Sequence, residues 1–368
     1  MSRSHAFDQW YECGDKKFLN IFQAFDYQKK TNFFPEYRFD HEFIESIRNF
    51  KKPKNINHQY IKNLIVNRLK ILRKKHKYLR LALGGGTDSF SVLKYCVEND
   101  IYLDEVFTHM ISIDPNNIRL NIEYLPALRF AKKHLGKTIG TVNEIYPAIE
   151  DFEFVKKLDW FLDEKIIRGC QFPGRIVNLF VQCYKKTDLP FDDTLTIFCL
   201  DKPYLQNING QIFWSQIDGT ISEIMGCENT LPLFFDKENP ELTVAMAFAL
   251  LDHSDSSLPF IGYDTQPIEK KKAILHNMGL ESTGHYFIDN HLWGKNPWDN
   301  ETKKSKLALQ QLIDMGRQDI VDAYYDSIKI CTLKFQNLPH AIDVKSNSIK
   351  TVKRYCQKIP IYQDSFGA

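Results

Sequence analysis

The chain has 368 residues, 48 of them basic and 46 acidic, so its formal net charge is +2, and 43% of it is hydrophobic. This length suggests one large or two medium domains with a sizeable buried core. No run approaches the roughly 18–20 apolar residues of a membrane span, and the N-terminus lacks a signal-peptide pattern. With 27 Phe and 17 Tyr, the chain is too aromatic to be disordered. We therefore expect a folded protein without a membrane partner, and the charge balance does not indicate a nucleic-acid-binding protein as a whole.

The eight cysteines do not form a recognisable disulfide or zinc framework. They are scattered along the chain, and no two of them form a C-x-x-C pair. Cysteines of this kind in a long chain without a secretion signal are typical of reduced thiols. We therefore predict structural thiols and a cytoplasmic location.

The first part of the chain, residues 1–58, has no clear overall pattern and is treated as an N-terminal segment. One local signal stands out, because Phe18, Ile21, Phe22 and Phe25 recur at helical spacing. This spacing predicts a short helix that packs on another part of the molecule.

A basic stretch follows, since no acidic residue occurs between Glu45 and Asp88 while twelve Lys and Arg fall within residues 48–80. Apolar residues within it recur at spacings that predict an amphipathic helix with a basic outer face. This face is either an ordinary solvated surface or a positive field beside a bound anion, for which phosphate or an RNA backbone is the obvious candidate. The apolar positions are Ile61, Leu64, Ile65, Leu69 and Leu72.

The most informative segment is a glycine-rich loop between a predicted strand at 78–83 and a predicted helix at 90–98. Three glycines allow a sharp turn and a close approach of backbone N–H groups to an anion. We expect Asp88 or Ser89 to cap the following helix, whose N-terminus favours phosphate. The loop consists of Gly84, Gly85, Gly86, Thr87, Asp88 and Ser89.

Two common phosphate loops do not fit this segment. A Walker A loop requires G-x-x-x-x-G-K-[ST], which is not present here. A dinucleotide fingerprint would place Gly or Ala at the position of Ser89, and Asp88 would repel a bare pyrophosphate. An acidic residue in the loop is more natural for a nucleotide that binds with Mg²⁺.

The loop resembles the S-G-G-x-D-S motif of the PP-loop ATP pyrophosphatases, the adenine nucleotide α-hydrolase-like superfamily. The run 61–93 is most similar to the start of the synthetase domain of asparagine synthetases, where a basic helix also precedes the strand, the loop and the next helix. Gly84 stands where that family has its first Ser, and the remaining fixed positions match. The resemblance implies that ATP and Mg²⁺ are cofactors, that residues 84–89 cradle pyrophosphate and that Asp88 binds the metal.

Further strands are predicted at 105–113 and 137–142, with a helix at 119–135 between them. Alternating strands and helices predict an α/β fold, a parallel sheet with helices on both faces, and the resemblance makes it a PP-loop or HUP-type Rossmann-like fold. The resemblance also implies that Leu83 and Met110 flank the adenine, although Met110 in ordinary sheet core is an equal alternative.

A fourth predicted strand, 194–200, ends in Asp201 and Lys202, which would lie at the carboxyl edge of a parallel sheet. By position, Asp201 resembles the family residue that shares Mg²⁺ with the loop Asp, although the glycines and the Glu of that G-x-G-x-D-E motif are missing. Lys202 could neutralise phosphate charge, and Arg175 is a further candidate phosphate ligand. The ordinary alternatives are a turn residue, a solvated Lys and a surface Arg.

The resulting domain prediction is an ATP-binding α/β domain at 59–235 and a mainly helical C-terminal region at 236–368. In that region helices are predicted at 242–252, 268–278 and 305–315, with a basic one at 348–358. The resemblance implies that the enzyme adenylates a small-molecule acceptor, releases pyrophosphate and forms an amide. Ser2 replaces the nucleophilic Cys of glutamine-dependent members and the N-terminal segment is short, so we expect no glutaminase domain. The alternatives are a PP-loop enzyme that modifies tRNA or a nucleobase, and a non-catalytic nucleotide-binding protein. A homodimer is left open.

Overall fold

The computed structural model describes residues 9–84, 86–110, 112–114, 124–163, 187–199, 202–214, 229–263, 266–281, 308–335 and 359–361. The strands among them are β1 Gln9–Cys13, β2 Lys16–Phe18, β3 Glu36–Phe39, β4 Tyr78–Ala82, β5 Leu103–His109, β6 Ile139–Ile145, β7 Thr194–Phe198, β8 Leu205–Ile208, β9 Gln211–Trp214, β10 Thr230–Pro232, β11 Phe260–Ile261 and β12 Ile359–Pro360. The α-helices are α1 Ile21–Thr31, α2 His41–Arg48, α3 His58–Lys75, α4 Thr87–Glu98, α5 Leu125–Lys133, α6 Pro240–His253, α7 Ile268–Asn277 and α8 Gln318–Phe335, and residues 308–314 are also helical. Short 3₁₀ turns occur at Ile149–Lys156, Trp160–Leu162, Phe191–Asp193 and Leu233–Phe235.

The centre of the molecule is a five-stranded sheet in the order β10–β7–β4–β5–β6, in which every neighbouring pair is parallel. From β4 the chain passes to β5 and β6 on one side and then returns to β7 and β10 on the other. The order therefore reverses between β4 and β7, which is where open α/β sheets bind ligands beyond the carboxyl ends of their strands. The predicted parallel α/β fold is confirmed, with helices flanking the sheet.

Helix α3 is the amphipathic helix predicted from the apolar spacing. The side chain of Asn57 accepts a hydrogen bond from the Tyr60 N–H at 3.0 Å and caps the start of the helix. The helix buries Ile61, Ile65 and Leu69 in the core. Its last turn carries three basic residues, which interact favourably with the negative end of the helix dipole.

The basic stretch is neutralised by carboxylates from other parts of the chain. Eight of its twelve Lys and Arg form ion pairs, most of them with acidic residues far away in the sequence. The linear pattern is therefore not a continuous positive surface in the folded chain. The paired residues are Arg48, Lys52, Lys62, Arg68, Arg73, Lys75, Lys77 and Arg80.

The N-terminal residues form a three-stranded antiparallel sheet, in the order β2–β1–β3, and two helices. Helix α1 corresponds to the predicted short helix, and the side chain of Asn20 caps it. The ring of Phe22 on this helix lies 5.8 Å from that of Phe161 and 5.9 Å from that of Phe335. The N-terminal segment therefore packs against later parts of the chain, as its apolar face predicted.

A four-stranded antiparallel sheet, in the order β11–β8–β9–β12, was not predicted from the sequence. Strands β8 and β9 form a hairpin whose turn residues Asn209 and Gly210 have φ values of 54° and 85°. Such a pair with positive φ is the favoured connection of a two-residue hairpin. Trp214 of this sheet is fully buried and packs against Phe43 and Phe235.

Beyond Asp236 the described residues are mainly helical. Helices α6 and α7 lie where the sequence predicted them, and the predicted helix at 305–315 is helical over 308–314. The basic helix predicted at 348–358 lies outside the described residues. In the described part of the chain, no helix is both long enough and apolar enough to cross a membrane.

Candidate functional site

The glycine-rich loop lies at the carboxyl end of β4, next to the point where the strand order reverses. Helix α4 begins directly after it at Thr87, and the residue at its N-cap is Gly86, which offers no side-chain cap. The prediction that Asp88 or Ser89 caps this helix was wrong, since both lie inside its first turn. The N–H groups at the start of a helix have no partner within the helix. The loop therefore leads into an uncapped, positively polarised helix N-terminus.

Ser89 and Thr87 differ in what their hydroxyl groups do. The Ser89 Oγ accepts a hydrogen bond from the Gly84 N–H at 3.0 Å, which closes the loop on itself. Thr87 is 5% exposed, and its buried Oγ1 has no hydrogen-bond partner in the part of the chain that the structure describes. Leaving a buried hydroxyl without a partner costs free energy. Thr87 is thus the loop hydroxyl most in need of a ligand.

The backbone of the loop does not require glycine at position 84 or 86. Gly86 has φ −80°, and neither it nor Gly84 is among the glycines with positive φ. Among the described residues, a Cβ built at Gly84 would meet only the Ser89 Oγ, at 3.9 Å, and one built at Gly86 would meet nothing within 4 Å. The expectation of a sharp turn that only glycine permits is therefore not met at these two positions. Their small size instead leaves open space beside the backbone, while Gly85 lies outside the described residues.

Asp88 and Lys202, which are 114 positions apart in the sequence, form an ion pair across the reversal point. The Lys202 Nζ lies 2.5 Å from the Asp88 Oδ2, and the side chains are 15% and 17% exposed. The parallel pairing of β4 with β7 brings the two strand ends to the same edge. The other carboxylate oxygen, Asp88 Oδ1, is buried and has no hydrogen-bond partner within the described ranges.

The donor set around Asp88 is compatible with a Mg²⁺ ion that enters with a nucleotide. Mg²⁺ usually takes one or two carboxylates and completes its coordination with water and substrate phosphates. Asp88 Oδ1 supplies one such oxygen, and no group of three or more His, Cys, Asp or Glu that could hold a metal occurs among the residues described. The second predicted metal ligand, Asp201, and the predicted phosphate ligand Arg175 lie outside the described residues.

Leu83 and Met110 lie at the same sheet edge, but both are buried, with exposures of 2% and 1%. The Leu83 N–H donates to the Phe107 carbonyl at 2.7 Å, and the Met110 N–H donates to the Ile145 carbonyl at 2.9 Å. Their backbone donors are therefore used within the sheet. Contact of these residues with an adenine ring remains a prediction, and their backbone N–H groups would not make it.

Two residues near the site were missed by sequence reasoning. The Lys202 Nζ lies 5.2 Å from the centroid of the Tyr263 ring, and the Lys271 Nζ lies 5.5 Å from the same centroid. An isolated Tyr after a two-residue strand and a Lys within the run 270–272 carry no motif that marks them. Only the folded chain brings these residues together.

The first turn of α4 is also joined to the C-terminal region. Ser91, which is fully buried, donates its hydroxyl hydrogen to the Thr87 carbonyl at 2.6 Å and accepts the Glu281 N–H at 2.7 Å. The Glu281 carboxylate in turn pairs with Lys94 on the same helix. These contacts fix the position of the helix start that carries Asp88.

Cys199, just after β7, interacts electrostatically with both members of this ion pair. Burial raises the pKa of its thiol well above the ordinary value, the charge of Asp88 raises it further, and Lys202 opposes this change. A thiol with a raised pKa stays protonated and is a poor nucleophile. This agrees with the prediction that the cysteines are structural, and four of those described, Cys13, Cys96, Cys199 and Cys331, are buried and free of disulfides.

No protein-family model, curated protein or solved structure matches the chain. The described site combines an uncapped helix start, open space at two glycines, and a half-buried carboxylate that is only partly satisfied by a lysine.

Proposed function

We propose that this chain is an ATP-dependent, Mg²⁺-requiring enzyme that adenylates a small-molecule acceptor and releases pyrophosphate, as an asparagine synthetase-like ligase. One observation carries the proposal. The open, uncapped start of α4 and the Asp88–Lys202 pair meet at the carboxyl edge of the sheet, where the strand order reverses. Nucleotides bind at this position in open α/β sheets.

The local chemistry supports a polyphosphate rather than a neutral ligand. Free N–H groups at a helix N-terminus bind anions, and the space beside Gly84 and Gly86 lets a phosphate approach the backbone. Lys202 adds a positive charge within this edge. Asp88 alone would repel a phosphate, so its presence favours a nucleotide that brings a cation with it.

In the proposed reaction, an acceptor oxygen attacks the α-phosphorus of ATP and the bond to pyrophosphate breaks. The loop N–H groups and the start of α4 would hold the leaving pyrophosphate, and Lys202 would offset its developing charge. When bound at Asp88, Mg²⁺ would supply further charge stabilisation for this group. A nitrogen or sulfur nucleophile would then capture the adenylate and release AMP.

The nitrogen donor for the amide would be free ammonia, an intramolecular amine or ammonia from a partner. The alternative of a tRNA- or nucleobase-modifying enzyme relied on the basic stretch 48–80. Eight of the twelve basic residues in that stretch are in ion pairs. No observation on this surface favours RNA over a small acceptor.

The test is ATP–pyrophosphate exchange with a radioactive tracer, screened over amino acids, other small acids, nucleobases and RNA. We expect exchange that depends on a small acid and on Mg²⁺, and at least about a hundredfold loss in the Asp88→Asn variant, as for removal of a key electrostatic group. The control is Asp193→Asn, the same change at an exposed residue directly before β7, at the opposite edge of the sheet.

Exchange that is unchanged in Asp88→Asn would contradict the site assignment. Exchange only with RNA or a nucleobase would overturn the ligase in favour of the modification enzyme. Binding of ATP without exchange under every condition would overturn catalysis and indicate a nucleotide-binding protein.

A further inference from the structure

Three segments that are distant in the sequence converge on the ring of Tyr263. Lys202 follows β7, Tyr263 follows the short strand β11, and Lys271 lies in the first half of α7. The two ammonium groups lie 5.2 Å and 5.5 Å from the centroid of the ring. Both distances are within the range of cation–π attraction, which holds a cation beside the ring without neutralising its charge.

Among the residues that the structure describes, the charges around this ring do not balance. Lys202 is paired with Asp88, whereas Lys271 forms no ion pair with any residue within the described part of the chain. Lys271 is half-buried, while Lys270 and Lys272 on either side of it are exposed. Among the described residues, a half-buried ammonium group without a carboxylate shares this ring with the lysine that pairs with Asp88, which leaves excess positive charge at the ring.

We propose that Lys202, Tyr263 and Lys271 form a binding site for a short inorganic polyphosphate, of the chemical class of pyrophosphate. Its role rests on the proposed function, because there the anion is the pyrophosphate released at the loop. The two lysines bind the anion directly. Tyr263 is a positioning residue, since its ring holds both ammonium groups and orders their flexible side chains before the anion arrives.

The aromatic ring rather than the hydroxyl group of Tyr263 carries this role. Phenylalanine at the same position keeps the face of the ring, and with it the cation–π attraction. Leucine fills much of the same space but offers no negative ring face. The two substitutions therefore separate the positioning role from simple packing and from any hydrogen bond of the hydroxyl.

The experiment measures the binding of inorganic pyrophosphate to the full chain by isothermal titration calorimetry, at low salt and without ATP. We expect about a tenfold higher Kd in Lys271→Met, the loss expected for one charge-assisted contact. The control Lys272→Met removes the same charge from the exposed neighbour and should stay within about twofold, since exposed charges are screened. Tyr263→Phe should bind like the wild type, and Tyr263→Leu should bind about three- to tenfold more weakly.

An equal loss in Lys271→Met and Lys272→Met, or no loss in Lys271→Met, would overturn the site. Equal weakening in Tyr263→Phe and Tyr263→Leu would overturn the role of the ring. Thermal unfolding of each variant checks that it folds, and the lysine variants keep the test valid if Tyr263→Leu does not fold.

The outcome is separable from that of the proposed function. A selective loss in Lys271→Met from a chain that shows no ATP–pyrophosphate exchange would support the anion site and contradict the ligase. Acid-dependent exchange in a chain whose Lys271→Met variant binds pyrophosphate like the wild type would do the opposite.

Discussion

Two ion pairs lie beside strand β4, one in the middle of the sheet and one at its carboxyl edge. They differ in burial and in the number of hydrogen bonds they receive. In the middle of the sheet, Arg80 on β4 lies opposite Glu105 on β5, and both are buried, with exposures of 0% and 2%. The Arg80 Nε lies 2.8 Å from the Glu105 carboxylate, which also accepts hydrogen bonds from Asn143 and Thr187. The guanidinium stacks 3.7 Å from the centroid of the Phe107 ring.

The pair at the sheet edge is incomplete by comparison. Asp88 and Lys202 are partly exposed, and one carboxylate oxygen of Asp88 is buried without a hydrogen-bond partner among the residues described. The interior pair is buried and its carboxylate accepts hydrogen bonds from two further side chains, so it fixes the structure, whereas a partly satisfied pair at a strand end has room for a ligand. This difference leads us to treat Arg80–Glu105 as structural and Asp88–Lys202 as functional.

We expect the greatest change in stability when the interior pair is broken. Arg80→Met leaves the Glu105 carboxylate buried without its cation, and we expect a loss of about 3–5 kcal/mol in the free energy of unfolding, measured with urea. The double variant Arg80→Met/Glu105→Leu should be more stable than the single variant, because it leaves no buried charge unpaired. A loss below about 1 kcal/mol in the single variant would show that the interior pair is not structural.

Removing the lysine of the edge pair should act on metal binding more than on stability. Lys202→Met removes a positive charge beside Asp88, where two unit charges about 4 Å apart interact by about 4 kcal/mol at an effective dielectric of 20. We expect Mn²⁺, used as a probe without nucleotide, to bind at least about tenfold more tightly, measured by electron paramagnetic resonance. Lys272→Met serves as the control, and unchanged Mn²⁺ affinity in Lys202→Met would contradict metal binding at Asp88.

Gly86 and Gly279 differ in the space beside their backbones, so alanine at the two positions should have different effects. Gly86→Ala meets no atom within 4 Å and needs no unusual φ, so we expect it to change the free energy of unfolding by less than about 1 kcal/mol. The added methyl group should nevertheless weaken ATP binding, because it occupies the space beside the loop. Gly279→Ala is the contrast, since φ is +72° and the new Cβ would lie 2.7 Å from the Ile61 Cγ2.

We expect Gly279→Ala to lose more than about 2 kcal/mol of stability, and any protein that remains folded should bind ATP normally. Chemical unfolding and calorimetric ATP titration measure the two properties side by side. ATP affinity unaffected by Gly86→Ala would contradict a phosphate site at the loop.

We expect a smaller change in stability at Glu238, which pairs with Lys75 and Arg68. Its side chain is more exposed than those of the two pairs described above. Burial alone would raise its pKa, but hydrogen bonds from Lys75 and Arg68 outweigh this and lower the pKa from 4.5 to about 2. Because the folded-state pKa is depressed, the stabilisation is present above the unfolded-state pKa and is lost as the pH falls from about 5 to 2.

Glu238→Gln should therefore cost less than about 1 kcal/mol at pH 7, and the difference from the wild type should shrink as the pH is lowered towards 3. Urea unfolding at several pH values measures this trend. A difference that grows at low pH would contradict the depressed pKa of Glu238.

Four of the five parallel strands were predictable because they appear as apolar runs, and β7 is buried along its whole length, whereas the three-residue strand β10 was missed. The predictions at 78–83, 105–113, 137–142 and 194–200 all overlap strands of this sheet. The two antiparallel sheets were missed, since their strands have only two to five residues. The Asn209–Gly210 dipeptide is nevertheless a recognisable hairpin signal.

For the site, the carboxyl-edge argument correctly placed Asp88 and Lys202 close together, because parallel strands end at one edge. It could not predict that they pair directly, since this depends on side-chain geometry. It missed Tyr263 and Lys271 because their approach to Lys202 depends on how the C-terminal segments pack. Neither periodicity nor spacing in the sequence encodes that packing.

The central claim, that the incomplete pair at the sheet edge is a nucleotide site, is tested most directly by calorimetric titration of ATP with Mg²⁺. The account predicts saturable binding of one ATP per chain to the wild type and to Asp193→Asn, and at least about tenfold weaker binding to Asp88→Asn. Equal affinity in all three proteins, or no binding to the wild type, would contradict it.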